Sequence, residues 1–181
     1  MNNEFKSIII AFNKPRGVIC THKDEKKRVK VYDFIPRKLF KESGRKIHSI
    51  GRLDYNSQGL LLLTNDKKIK SHFENPKSKI LRVYKVKVQG VLEKKHVIRI
   101  LEGISVNNIL YDVKSLDLLS KTKTYTWIKI SLDKGKNQHI RKIFLKLKMS
   151  VNKLIRIQYG PYRLANLKSG EIKVLSKKIL S

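Results

Sequence analysis

One acidic residue stands between two glycines in Gly51-Arg52-Leu53-Asp54-Tyr55-Asn56-Ser57-Gln58-Gly59, just ahead of the apolar run Leu60-Leu61-Leu62-Leu63. The chain holds only 14 Asp and Glu against 42 Lys and Arg, so an acid placed here is conspicuous. Arg52 lies two residues away, and a carboxylate in a strongly positive field stays ionised. An ionised carboxylate in a cleft can serve as a nucleophile or a base. Spacing alone favours a plainer role, in which Asp54 closes a turn through a side-chain-to-backbone hydrogen bond.

Other chemistries find no support. The five histidines (His22, His48, His72, His96 and His139) have no tight mutual spacing and Cys20 stands alone, so no metal site is expected. Neither G-x-x-x-x-G-K-[ST] nor G-x-G-x-x-G occurs, which argues against a nucleotide cofactor. No G-x-S-x-G elbow appears.

The elements that must hold these residues follow from periodicity. Residues 7–12 read as a buried strand, broken by the turn chemistry of Lys14-Pro15-Arg16-Gly17. Residues 23–30 read as an exposed loop, 31–35 as a short helix stopped near Pro36, and 46–50 as a short strand. Leu60–Leu63 is a compact strand, and Thr64-Asn65-Asp66 can cap a helix running to about Glu74. Residues 82–89 alternate as a strand, with Tyr84, Val86 and Val88 on one face. Residues 92–101 predict a helix ending at Gly103, and 104–132 hold several strand-like pieces. Residues 138–149 predict the best helix, with Ile140, Ile143, Phe144 and Leu147 on one stripe. Residues 151–159 are a strand closed by Gly160-Pro161, and 171–175 a final edge strand. Hairpin-like neighbours outnumber βαβ units, which gives an α+β class with a largely antiparallel or mixed sheet.

The 181 residues suit one domain or two tightly joined lobes. The formal charge of +28 favours an acidic partner, because such a field steers and retains anions. Lys outnumbers Arg 32 to 10, which part-reflects a coding bias and predicts backbone binding more than base readout. No apolar run approaches the roughly 18 residues of a membrane span, and residues 1–7 lack a signal-peptide pattern. A lone cysteine suits a reducing compartment, so a cytoplasmic location is expected.

GRLDYNSQGLLLLTND resembles the active-site motif of the RNA pseudouridine synthases, in particular the RsuA/RluB/RluE/RluF family. Four further segments are similar in family order. Residues 12–18 resemble its NKP-x-G segment, 82–90 its K-x-Y-x-V-x-V-x-G strand, 135–142 its E-G-R-x-x-Q-V-R-R helix start, and 154–161 its L-x-R-x-x-x-G element. Lys136 stands where Arg is usual, and Gln138-His139 where R-Q or H-Q is common. Many relatives carry an S4-type RNA-binding domain ahead of the catalytic one. Only 13 residues precede Lys14 here, so a single catalytic domain over 1–181 is expected, similar to the RluE branch that acts on large-subunit ribosomal RNA.

The resemblance implies a pseudouridine synthase fold, with a mixed, mostly antiparallel central sheet, flanking helices and a central active-site cleft. It implies isomerisation of a uridine in ribosomal RNA, of the large subunit by branch, with no cofactor and no metal. Asp54 would be the catalytic aspartate, attacking the target nucleotide at ribose C1′ or after a glycal forms. The uracil would detach, rotate and rejoin through C5, in a confined site after leaving its stack. Tyr84 would stack on the flipped uracil, although the same spacing describes an ordinary core tyrosine. Arg141, at the edge of the apolar stripe, would pair with the catalytic carboxylate, the plainer reading being a solvated helix-face arginine such as Lys142 and Lys146 resemble. Arg52 would contact phosphate or fill the space left by the flipped base, or else form a loop salt bridge. Leu154 would pack on the uracil opposite Tyr84, or serve as core. Lys14 and Pro15 would shape the loop behind the site. Residues 134–148 carry six cations and no acid, and with Lys136, Lys142 and Arg156 would bind RNA. A monomer without membrane association is expected. A non-catalytic RNA-binding or ribosome-assembly factor of the same fold is the alternative, and a ribosomal structural protein would show basic tails that the sequence lacks.

Overall fold

The computed structural model describes residues 7–175; the part of the N-terminal reading that falls on residues 1–6 lies outside it. Its elements in chain order are β1 (Ile9–Lys14), α1 (Arg37–Glu42), β2 (His48–Ile50), β3 (Gln58–Thr64), α2 (Lys67–Glu74), β4 (Arg82–Gln89), α3 (Lys94–Glu102), β5 (Ile104–Val106), β6 (Ile109–Tyr111), β7 (Ser115–Lys121), β8 (Tyr125–Leu132), α4 (His139–Lys146), β9 (Val151–Tyr159), β10 (Tyr162–Arg163) and β11 (Ile172–Leu175). Single turns of 3-10 helix cover Val31–Phe34 and Pro76–Ser78. Two compact units result among the described residues: 7–78 with 162–175, and 79–161. Among the described residues no helix is long and apolar enough to cross a membrane.

In the first unit the strands run β11-β1-β3-β2, every ladder antiparallel. Gly59 to Thr64 of β3 are buried without alternation, the mark of a strand covered on both faces. α2 follows directly. The Asp66 carboxylate caps it by accepting from the amides of Lys68 and Ile69, while Ile69 and Phe73, four apart, turn one face inward. β1 reaches two residues further than the sequence pattern suggests, through Lys14, so the turn begins at Pro15.

In the second unit β9-β4-β8-β7 form an antiparallel sheet, and β5-β6 pair as a separate hairpin. β4 and β8 show the alternation read from the sequence: Tyr84, Val86 and Val88 are buried, as are Thr126, Ile128, Ile130 and Leu132. A register shift beside β9 at Val83/Tyr84 explains why Val83 is buried too, out of phase with the pleat. α3 ends at Gly103, whose φ of 98° is a backbone conformation that a side chain would strain. α4 buries Ile140, Ile143 and Phe144, and ends at Lys146 rather than near Met149 because Lys148 turns left-handed (φ 58°).

α1 and β10 have no counterpart in the sequence reading. α1 buries none of its residues and therefore has no apolar stripe, and β10 is only two residues long. The remainder is the α+β architecture that the pattern implies.

Candidate active site

In the first unit the loop of residues 51–57 joins β2 to β3 and is gripped at nearly every position. The Gly51 amide donates to Glu74 Oε1 of α2 at 2.7 Å. From the other side, the end of β1 and the segment after it hold the loop through four contacts. Cys20 Sγ donates to the Leu53 carbonyl at 3.4 Å, the Gly17 amide to the Tyr55 carbonyl at 2.8 Å, and Arg16 Nε to Asn56 Oδ1 at 3.1 Å. Lys14, 0% exposed, donates its ammonium to the Pro15 and Ser57 carbonyls, each at 2.9 Å. Leu53 is buried between exposed Arg52 and exposed Asp54, so the backbone is pinned while both flanking side chains face outward.

The turn at Asp54 is closed by its backbone carbonyl, which accepts from the Ser57 amide at 2.9 Å. The carboxylate takes no part in that turn. Among the described residues it accepts no hydrogen bond and forms no close ion pair, although it lies within the field of Lys14. The side-chain bond that a turn-forming aspartate would make is therefore missing. Arg52 likewise forms no ion pair among the described residues.

Burial pushes the Lys14 ammonium down from 10.5 to about 8, against the opposing pull of Cys20 and Asp54. Its two carbonyl partners are what make a buried lysine tolerable. Lys14 thus shapes the loop from behind, as the sequence reading has it. Its complete burial carries no signal in the residue type.

In the second unit Tyr84 on β4 faces Arg156 on β9 across the ladder, and Val86 faces Leu154, so Tyr84, Leu154 and Arg156 share one sheet face. Tyr84 is 9% exposed, and among the described residues its hydroxyl makes no hydrogen bond. Arg156 is 2% exposed, with its guanidinium 4.7 Å from the Tyr159 ring centroid. Arg82 holds the same ring at 4.8 Å and donates to its hydroxyl at 3.1 Å. Arg156 therefore lies in the interior of the sheet and not on a solvated face.

α4 carries the remaining cations. Arg141 is half-buried and donates to the Val151 carbonyl at 3.0 Å, at the start of β9. Lys142 is half-buried too, unlike the solvated lysine that its helix position suggests. It donates to the Tyr111 hydroxyl at 3.0 Å, while Lys146 is exposed. Lys136 donates to the Leu110 carbonyl. Lys136 and Lys142 both lie 5.4 Å from the Tyr111 ring centroid. Tyr111 escapes a sequence reading, since 25 to 31 residues separate it from the lysines it organises. Burial, with Lys136 beside it, pushes His139 down to about 4, so this ring is neutral at pH 7. Among the described residues no group of three His, Cys, Asp or Glu comes together that could hold a metal.

Comparison with known proteins adds an independent line. Residues 8–146 match the family described as RNA pseudouridylate synthase. A Rickettsia conorii protein named as an uncharacterized RNA pseudouridine synthase is 40% identical over 186 residues, covering 99% of this chain and 75% of its own. The ribosomal large subunit pseudouridine synthase B of Buchnera aphidicola (Acyrthosiphon pisum) is 36% identical, covering 97% of this chain and 70% of its own. A crystal structure of a pseudouridylate synthase superposes with a TM-score of 0.80 at 25% identity, covering 97% of this chain and 73% of that one.

Proposed function

The chain belongs to the RNA pseudouridylate synthase family, and on that premise we propose that it isomerises a uridine of large-subunit ribosomal RNA with Asp54 as the nucleophile. Isomerisation of uridine in RNA is the activity of the family. The ribosomal target is supported by the name of the Buchnera relative. The role of Asp54 is supported above all by one observation. Its carboxylate is exposed and unengaged, on a loop whose backbone at Gly51, Leu53, Tyr55 and Ser57 is held by hydrogen bonds from neighbouring segments. A nucleophile must be rigidly held by its backbone and free at its reacting atoms, and the two demands are met together here.

In this reading the uridine leaves its stack and its ribose C1′, directly or through a glycal, bonds to an Asp54 oxygen as the bond to uracil N1 breaks. The uracil turns and its C5 bonds to C1′ as the C1′–Asp54 oxygen bond breaks, so the carboxylate departs unchanged; the C5 proton is then lost and the freed N1 takes up a proton. Tyr84 supplies the ring on which the uracil stacks, with Leu154, its near neighbour on the same face, as the apolar wall. Arg141 supplies the cation that keeps charge balanced around the reacting carboxylate, and Arg52 contacts an RNA phosphate or fills the space left by the flipped base. Lys136 and Lys142, both anchored on Tyr111, hold phosphates. Arg156, buried, orients the sheet face beneath Tyr84.

The test is a pseudouridine map of total ribosomal RNA from cells carrying wild-type protein or Asp54→Asn. One large-subunit site present with wild type and absent with the variant is the expected result. A site that persists in the variant sinks the nucleophile assignment. The position of that uridine also decides directly between an RluE-like and an RluB-like target.

A further inference from the structure

The β2–β3 hairpin carries the Asp54 loop at its turn, and a cavity of about 630 Å³ opens at its other end. Arg45, Lys46, His48, Lys67 and Lys68 line it. The only acid in the lining is Asp66, and its carboxylate is committed: it accepts from the amides of Lys68 and Ile69 and from Ser7 Oγ. That cap already takes the Lys68 and Ile69 amides at the N-terminus of α2. Asn65 is committed as well, accepting from the Ile8 amide and donating to the Ser43 carbonyl. Lys46, Lys67 and Lys68 are exposed and, among the described residues, have no carboxylate partner. What distinguishes this place is that three such lysines, with Arg45 and His48, line one cavity.

Flat rings adjoin the cationic wall. His22, exposed, stacks on Tyr32 with centroids 3.6 Å apart and planes 12° from parallel. His48 meets His22 edge-on at 5.9 Å, and so joins the stack to the cavity. Tyr32 is fixed in turn by accepting from the Ser49 amide of β2 at 3.1 Å. Burial, followed by the charge of Lys46, holds both imidazoles below their ordinary value, so at pH 7 they present neutral planes. Cations alone would suit any anion. Cations beside exposed planar rings suit a strand that offers phosphates and bases together.

We propose that this cavity is a second RNA-binding site, in which Lys46, Lys67 and Lys68 take backbone phosphates of the substrate RNA while the His22–Tyr32 stack receives an unpaired base. The inference rests on the reading that the substrate is RNA. His48 and Gly51 are separated by the length of β2, roughly 10 Å, so an RNA whose target uridine lies at Asp54 can extend along the hairpin to the cavity.

The test compares the full-length wild-type protein with Lys46→Ala/Lys67→Ala/Lys68→Ala in binding to a labelled transcript of large-subunit ribosomal RNA at several salt concentrations. A control, Lys94→Ala/Lys121→Ala/Lys123→Ala, removes the same charge elsewhere. The cavity variant should weaken binding about tenfold and lower the slope of log K on log salt by about 2, at roughly 0.7 per single-stranded phosphate contact. The corresponding triple arginine variant should restore both, and the control should stay near wild type. If the cavity variant matches wild type, or the control loses as much as the cavity variant, the site does not exist. The outcome is separable from that of the isomerase reading. Loss of the slope in a protein that forms no pseudouridine in any ribosomal RNA would leave the cavity standing and remove the enzyme.

Discussion

Lys14 Nζ donates a 2.9 Å hydrogen bond to the carbonyl of Ser57, the residue whose own amide closes the turn on the Asp54 carbonyl. A fully buried cation is thereby built into the underside of the loop that presents the exposed carboxylate. The arrangement places a positive charge in the field of Asp54 without letting the two groups pair and quench each other.

That burial predicts a pH dependence. The folded Lys14 titrates at about 8 and the unfolded one at 10.5. Between these values the unfolded chain binds more protons, so stability at this position rises with pH. The cost of burying the charge is fully present below about 8 and has gone by 10.5, a change of about 3 kcal/mol at 1.36 kcal/mol per unit. Denaturant unfolding of wild type and Lys14→Met across this window should show the difference between them moving in favour of wild type as pH rises. A difference that stays flat would mean that Lys14 keeps its proton in the fold.

Tyr84 predicts a contrast between two substitutions. Its hydroxyl has no hydrogen-bond partner among the described residues, so Tyr84→Phe should fold like wild type and keep its activity within a few-fold. Tyr84→Ala should lower kcat/KM by about tenfold to a hundredfold, because stacking on an aromatic ring contributes about 1–3 kcal/mol per base. Assays well below each variant's melting temperature separate this from lost packing. Full activity in the alanine variant would remove the stacking role, and a dead phenylalanine variant would move the chemistry to the hydroxyl.

What the sequence discloses of this molecule depends on how local the cause is. β4 and β9 match their sequence boundaries because the Tyr84-Val86-Val88 alternation of β4 and the Gly160-Pro161 turn that closes β9 are written in neighbouring residues. α2 is legible for the same reason, since its Asp66 cap and its Ile69–Phe73 pair lie within eight residues. α1 is invisible because it buries nothing. At the site, the motif around Asp54 marks the right loop, but residue types cannot say whether a carboxylate closes its own turn. Here the backbone closes it, and four contacts from residues 14–20 do the holding. Those contacts join positions about 40 apart in sequence, and only the fold brings them together. The same holds for Lys142, whose helix position suggests solvent and whose partner, Tyr111, comes from β6.

That Lys142–Tyr111 contact carries the last prediction. Donation to a phenol leaves the ammonium charged with two protons still to give, on a side chain with little remaining freedom. Pre-ordering lowers the entropy lost when a phosphate binds. Lys142→Ala should therefore weaken binding to all RNAs alike and lower the salt slope by about 0.7–0.9, the signature of one lost phosphate contact. Tyr111→Phe keeps the charge and the ring but removes the tether. It should leave the slope at the wild-type value while weakening binding by only a few-fold. An unchanged slope in Lys142→Ala would show that this face of α4 does not meet the RNA backbone. A slope lowered in Tyr111→Phe would show instead that the tether, and not the charge alone, sets the contact.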